Sequence, residues 1–248
     1  MKLIQIGNGS ALNPLNTNSS FLVVGEKCNM LIDCGYNVYQ ELIKNYKKEY
    51  KDIRYIFITH MDDDHIGSLR ALMYDLYFKH SVMPTLVFSV DIEKKIKKYL
   101  KNHKGLVKNY KKNDSILFST LTIFPSYPRD YFNIKLDEIE YGWEINVFKN
   151  KHYQKGSGIS FVNKHKKLGF SITGDTVPCE SIEREFYEMK SIAGNKYIMF
   201  HDFSNWNCQE KQVHACKDSI EKTYQKEMIE ELKYYHNNKP LDNNIYEF

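Results

Sequence analysis

The twelve residues Ile58 to Leu69, ITHMDDDHIGSL, constrain this chain more than any other stretch. His60, Asp62, Asp64 and His65 fall within six residues, directly after the apolar run Tyr55-Ile56-Phe57-Ile58. That run is β-branched and aromatic, the composition of a buried strand. The cluster therefore sits at a strand's C-terminal end, where open α/β sheets place their ligands. Imidazole nitrogens and carboxylate oxygens are donors that zinc, manganese and iron accept, and a strand-to-helix turn can aim alternate residues at one point. A solvated acidic loop leading into a helix near Ile66 has no need of two histidines bracketing three aspartates. The cluster predicts a metal site.

Composition narrows the class. At 248 residues and 29.4 kDa the chain suits one domain, 1–248, large enough to bury most of its apolar surface without staples. Cys28, Cys34, Cys179, Cys208 and Cys216 are odd in number and form no CxxC pair, which argues against a disulfide framework and a cysteine zinc site and favours a reducing compartment. The amino terminus has no signal-peptide apolar core, and no run approaches membrane-spanning length, so the expected location is the cytoplasm, without membrane contact. Net charge is +4, carried almost entirely by lysine: Arg54, Arg70, Arg129 and Arg184 are the arginines. Groove-reading nucleic-acid proteins lean on arginine forks, so this balance lends them little support.

Along the chain, residues 1–6 and 20–24 read as paired strands joined by a loop containing Gly7, Gly9 and Pro14. Met30-Leu31-Ile32 is a buried strand ending in Asp33-Cys34-Gly35. Residues 37–49 carry Val38, Leu42, Ile43 and Tyr46 at helical spacing, and Ile66 to Phe78 continues the metal loop as a helix. Thr85 to Phe88 reads as the next strand. Beyond it nine lysines fall between residues 94 and 112, interleaved with Ile96, Tyr99 and Leu100. Such a helix can attract phosphates or a membrane surface, although a lysine face is more often only solvated. His103 reads as a surface residue.

Residues 115–124 and 143–148 have strand character, and the aromatic connection between them either lines a pocket or reaches a neighbouring subunit. Segments 159–162, 168–172, 197–201 and 232–235 complete the strands, with His165 in a surface hairpin turn and a helical stretch after Ala215.

The 60–65 cluster resembles the His-x-His-x-Asp-His signature of the metallo-β-lactamase superfamily, with Asp62 in place of the second histidine. The order of further motifs is similar to that superfamily too. Asp33 ends the strand that there carries an aspartate supporting the metal loop from behind. His152 stands where the third motif has its histidine, and Thr173-Gly174-Asp175-Thr176 resembles the Gly-Asp-Thr motif whose aspartate bridges two metals. The tail, with His201-Asp202, His214 and His236, is similar to ribonuclease Z and its relatives. The resemblance implies an αββα sandwich, an α/β (α+β) fold of two mixed β-sheets flanked by helices. It also implies a ligand set: His60, Asp62 and His152 on one divalent metal, Asp64, His65 and His236 on the other, and Asp175 on both.

Two metals about 3.5 to 4 Å apart can hold a bridging hydroxide and clamp the oxygens of an in-line displacement at phosphorus. By resemblance, Asp64 orients that hydroxide or takes its proton, His214 serves the leaving oxygen, and Asp202 fixes the tautomer of His214. A third carboxylate at Asp62 lowers the charge of the site and favours harder ions, so the expected metal is zinc with manganese in competition. Aspartate is also shorter than histidine, so Asp62 ligates through a backbone shift or a water.

Ribonuclease Z enzymes usually carry a long transfer-RNA-gripping arm between the third-motif histidine and the bridging aspartate. Here His152 and Asp175 are separated by 22 residues, enough for a hairpin. The resemblance is thus to armless cyclic-nucleotide phosphodiesterases, the phage anti-Pycsar type included. It implies hydrolysis of a 3′,5′-cyclic nucleotide, in the host cytoplasm if phage-encoded, by a homodimer, with tyrosines from 126–141 stacking on the base. The alternatives are an RNA or DNA phosphodiesterase using the 94–112 lysines, and a protein that sequesters a nucleotide without cutting it.

Overall fold

In the computed structural model, residues 1–11, 13, 15–101, 119–123, 139, 141–204, 213–237, 239, 241 and 244–248 are described. His103, most of the lysine run, residues 115–118 and Tyr127 and Tyr131 of the aromatic connection lie outside them.

Two mixed sheets face each other. The first comprises β1 (Lys2–Gly7), β2 (Ser20–Val24), β3 (Asn29–Ile32), β4 (Ile53–Ile58), β5 (Thr85–Ser89), β6 (Ser119–Ile123) and β12 (Ile245–Glu247), in the order β12-β1-β2-β3-β4-β5-β6. The second comprises β7 (Glu144–Lys149), β8 (Ser157–Asn163), β9 (Leu168–Ile172), β10 (Tyr197–Asp202) and β11 (Leu232–Tyr235), in the order β11-β10-β9-β8-β7. In the first sheet β3, β4, β5 and β6 run parallel, and in the second β9, β10 and β11 do. Parallel neighbours bring their C-terminal ends to one edge, and the polar loops that follow gather there.

Alternation along the strands builds the layers. In β4, Phe57 points between the sheets while Ile56 and Ile58 point outward; in β5, Val87 points in while Leu86 and Phe88 point out. The inner layer is aromatic, with Phe21 edge-on to Phe200 at 5.1 Å and Phe161 stacked on Phe170 at 4.7 Å. Truncating one such ring to alanine costs about 3 to 5 kcal/mol. Helices α1 (Val38–Asn45) and α3 (Leu69–His80) cover the first sheet through Leu42, Leu72, Met73 and Leu76. Helix α4 (Glu93–Lys101) adds Ile96 and Leu100 to that layer. Helices α5 (Glu180–Ala193), α6 (Lys217–Thr223) and α7 (Lys226–Glu231) cover the second through Ile182, Phe186, Met189, Ile220 and Met228. This is the expected αββα arrangement.

Three local differences from the sequence reading have physical causes. The helix expected from Ile66 to Phe78 is split into α2 (Asp63–Ile66) and α3 at Gly67-Ser68, where the Ser68 hydroxyl donates to the Gly35 carbonyl and accepts from the Tyr39 amide at 3.2 Å. The helix expected over 37–49 ends at Asn45 and is followed by a 3₁₀ turn at Tyr50–Asp52. Helix α5, for which the sequence reading names no element, has apolar residues at 182, 186, 189 and 193, but Glu185 interrupts its buried face and blurs the stripe.

Candidate metal centre

The site is built from the floor upward. Asp33, at the end of β3, has a φ of 61°, a left-handed conformation in which aspartate is tolerated better than most residues. From there its carboxylate accepts the Thr59 amide at 2.9 Å, the Thr59 hydroxyl at 2.7 Å and His65 Nδ1 at 2.7 Å. The hydroxyl, having donated to Asp33, accepts from His60 Nδ1 at 3.0 Å. Both rings are thereby turned so that Nε2 faces away from the floor. This is the supporting position that the sequence reading assigned to Asp33.

The inward atoms converge on Asp175. His65 Nε2 lies 3.2 Å from Asp175 Oδ1, and His60 Nε2 lies 3.7 Å from Oδ2. On one side His60, His152 and Asp175 offer ligand atoms within 4.8 Å of one another; on the other, Asp64, His65, Asp175 and His236 do the same. Gly174 makes this approach feasible. Its φ is +66°, and a Cβ there would sit 3.0 Å from Thr59 Cβ. His236, at the end of β11, has a φ of 63° and places Nε2 3.3 Å from Asp64 Oδ2.

Asp202 ends β10 behind the second group. Its Oδ2 accepts from His214 Nδ1 at 2.9 Å and from the Thr176 amide at 2.8 Å, and its Oδ1 lies 3.3 Å from His236 Nδ1. The expected pairing with His214 is present, and a second contact to His236, not expected from sequence, joins it.

Burial and charge oppose each other throughout. Burial would raise the Asp175 carboxyl, yet the charges of His236, His65 and His60 hold it well below the usual range. Burial would lower His236, but Asp175, Asp202 and Asp64 push it up to about 10. His152 goes the other way: burial, with His60 and His214 nearby, depresses it to about 4 despite Asp175, leaving a neutral imidazole.

His60 Nε2, His65 Nε2, His152 Nδ1 and Asp175 Oδ1 are buried without a hydrogen-bond partner. Such orphans in a native fold call for an explanation, and a divalent cation supplies one. The donor set, mixed imidazole and carboxylate, fits zinc or manganese, which would have to displace the protons on the histidines.

The family model described as Anti-Pycsar protein Apyc1 matches residues 1–247. The chain belongs to that family. It is 29% identical to the Anti-Pycsar protein Apyc1 of Paenibacillus harenae over 86 residues, 35% of each chain. It is 28% identical to the ribonuclease Z of Methanocaldococcus jannaschii over 187 residues, 71% of this chain and 54% of that one. The matches thus span about half or less of these relatives. Among solved structures it is similar to the metallo-β-lactamase fold protein YhfI from Bacillus subtilis, with a TM-score of 0.67, 15% identity and coverage of 95% and 85%. Human short-form tRNase Z gives a TM-score of 0.66, 17% identity and coverage of 96% and 93%. The fold is that of the metallo-β-lactamases.

Within this family's frame one candidate ligand stands apart. Asp62 belongs to none of the three groups around Asp175, the third of which joins Asp202, His214 and His236 to it. Its Oδ2 accepts from the Tyr153 hydroxyl at 2.7 Å and lies 3.5 Å from His60 Nε2, while its Oδ1 accepts from Gln154 Nε2. Tyr153 and Gln154 are participants that the sequence reading missed, and so is Thr59; no periodicity or motif marks them. His201 is fully buried, bound to the Asp202 carbonyl at 2.6 Å and to the Tyr224 hydroxyl at 3.0 Å, and stays out of the site. His165 lies in an exposed turn, as expected. Cys216 is disulfide-bonded, at odds with the expectation of no disulfide framework, while Cys34 and Cys179 are thiols. Among the described residues no helix is long and apolar enough to cross a membrane.

Proposed function

We propose that this chain is a metal-dependent phosphodiesterase that hydrolyses 3′,5′-cyclic nucleotides, its residues 1–248 acting as one domain. The observation that carries the reading is the pair of imidazole and carboxylate groups sharing Asp175, with the His214–Asp202 pair 2.9 Å apart beside them. Membership of the anti-Pycsar family supports the substrate class. In this reading His60, His152 and Asp175 hold one divalent cation, and Asp64, His65, His236 and Asp175 the other. When bound, the two cations supply Lewis-acid polarisation of the phosphoryl oxygens and generate the nucleophile from water near neutral pH.

The chain's own groups do the rest. Asp64 Oδ2, 3.3 Å from His236 and 3.6 Å from His65, is placed to accept a proton at the point of attack. His214 keeps Nδ1 on Asp202 and so has Nε2 free to give a proton to the leaving ribose oxygen. Its side chain is 26% exposed, open enough for a group that serves a departing oxygen. Ring opening of the cyclic diester gives a 5′-type monophosphate.

The test is turnover of a panel of cyclic mononucleotides and of bis(p-nitrophenyl) phosphate by metal-analysed protein, with Asp175→Ala as control. Cleavage of cyclic nucleotides, abolished in the control, is the expected result. Cleavage of the generic ester alone would shift the reading to an RNA or DNA phosphodiesterase, which the similarity to ribonuclease Z and the lysines of α4 favour. Tight nucleotide binding without turnover in metal-loaded protein would identify a sequestering protein instead.

A further inference from the structure

We propose that Asp62 is the clasp of the loop that follows His152 and not a cation ligand, and that it holds Tyr153 at the mouth of the site as a contact for the organic part of the substrate. The substrate half of this inference rests on the reading above; the clasp does not.

The side chains around Asp175 turn unpartnered atoms inward, whereas both oxygens of Asp62 are engaged by the neighbouring loop, Oδ2 by the Tyr153 hydroxyl at 2.7 Å and Oδ1 by the Gln154 amide. Asp62 is also further out: its side chain is 19% exposed, against 2% for Asp175 and 0% for His60. The clasp continues away from the site. Gln154 accepts from Lys95 Nζ of α4 at 2.7 Å, and Lys155 Nζ lies 3.6 Å from Asp91 Oδ1. The loop between β7 and β8 is thus laced to the metal loop on one side and to the α4 region on the other.

What the lacing presents is an aromatic ring. Tyr153 is 66% exposed, yet its hydroxyl is fixed on Asp62 and its ring meets that of His152 edge-on at 4.4 Å. A large apolar side chain ordinarily stays exposed at no gain, and few are tethered at the polar end while they do so. A phenol held still beside a candidate cation ligand offers a flat face to a purine or pyrimidine at small entropic cost, because its few torsions are already fixed.

The experiment uses the full chain loaded with zinc or manganese, in three variants: Asp62→Ala, Tyr153→Ala and Tyr153→Phe. Metal per chain is measured after dialysis, and KM and kcat are measured separately with a cyclic nucleotide and with bis(p-nitrophenyl) phosphate. The expected result is wild-type metal content in all three variants. For cyclic nucleotides, KM should rise about ten- to a hundredfold in Tyr153→Ala and in Asp62→Ala, with a much smaller fall in kcat, and Tyr153→Phe should lie between these and wild type. Loss of about one metal equivalent in Asp62→Ala, with Tyr153→Ala fully loaded, would make Asp62 a ligand and overturn the clasp. An unchanged KM in Tyr153→Ala would overturn the aromatic contact. Should wild type cleave no cyclic nucleotide, the proposed function fails on its own. Metal content then still decides Asp62, and the KM for the aromatic diester still decides Tyr153.

Discussion

Buried carboxylates occur in two quite different settings in this molecule. At the loop edge of the sandwich, Asp175 and Asp202 are surrounded by His60, His65, His214 and His236, and imidazole charge draws both below the ordinary carboxylate range against the pull of burial. On the buried face of α5, Glu185 is about as enclosed but takes its hydrogen bonds from neutral donors, Asn146 Nδ2 at 2.9 and 3.0 Å and the Ser160 hydroxyl at 2.5 Å, while the charges of Glu188 and Arg184 act on it in opposite directions. That hydroxyl continues to Ser171 and Tyr197, each link 2.6 Å long. There burial prevails and the Glu185 carboxyl is raised. Enclosure alone therefore does not make a cation site. What distinguishes the loop edge is a set of imidazoles whose protons can be exchanged for metal.

The hardest way to break this contrast is to remove its centre. Asp175→Ala takes the shared donor from both groups and should cost about a thousandfold or more in phosphodiester turnover, together with much of the bound metal, while circular dichroism stays native-like. His214→Ala should cost about a hundred- to ten-thousandfold in turnover with metal content near wild type, which separates proton handling from metal holding. Asp33→Ala acts from behind, freeing His65 Nδ1 and Thr59. It should weaken metal affinity about ten- to a hundredfold, as measured by competition with a chromophoric chelator.

The smallest expected effect lies under α5. A carboxyl raised on folding stays protonated in the native state at a pH where the unfolded chain has already ionised. Stability then falls as pH climbs from the ordinary carboxylate value through the raised one. Glu185→Gln removes that loss. The variant should melt higher than wild type at neutral pH, and the two curves should converge in acid, where Glu185 is protonated in both states. Coincident melting at every pH would show that the Asn146 and Ser160 donors fully offset the burial.

The loop edge was legible in the sequence because its donors are tied to strand ends. His60, Asp64 and His65 follow β4, Asp175 follows β9, Asp202 ends β10 and His236 follows β11, and parallel strands bring those ends together. The sheets were legible for the same reason, through runs such as Ile56-Phe57-Ile58 and Phe170-Ser171-Ile172. The clasp on Asp62 was not, since it depends on how far a loop side chain reaches across from another strand, and residue type alone does not encode that distance. Helix α5 was obscured by the very glutamate that sets up the contrast, a charge placed where an apolar residue would have announced a helix. The disulfide of Cys216 was hidden because pairing depends on proximity in space.

The two donor groups have a mechanical meaning as well. Each takes atoms from both halves of the sandwich: His60 from the first sheet joins His152 and Asp175 from the second, and Asp64 and His65 from the first join Asp175 and His236 from the second. An ion seated in either group is a rivet through two plates that the apolar layer and the polar clasp on Asp62 already hold together. Its binding free energy adds to their cohesion by mass action. On the proposed function, the edge that carries the chemistry would also be the seam where the sandwich is sewn, and chelation would unpick it from that side first.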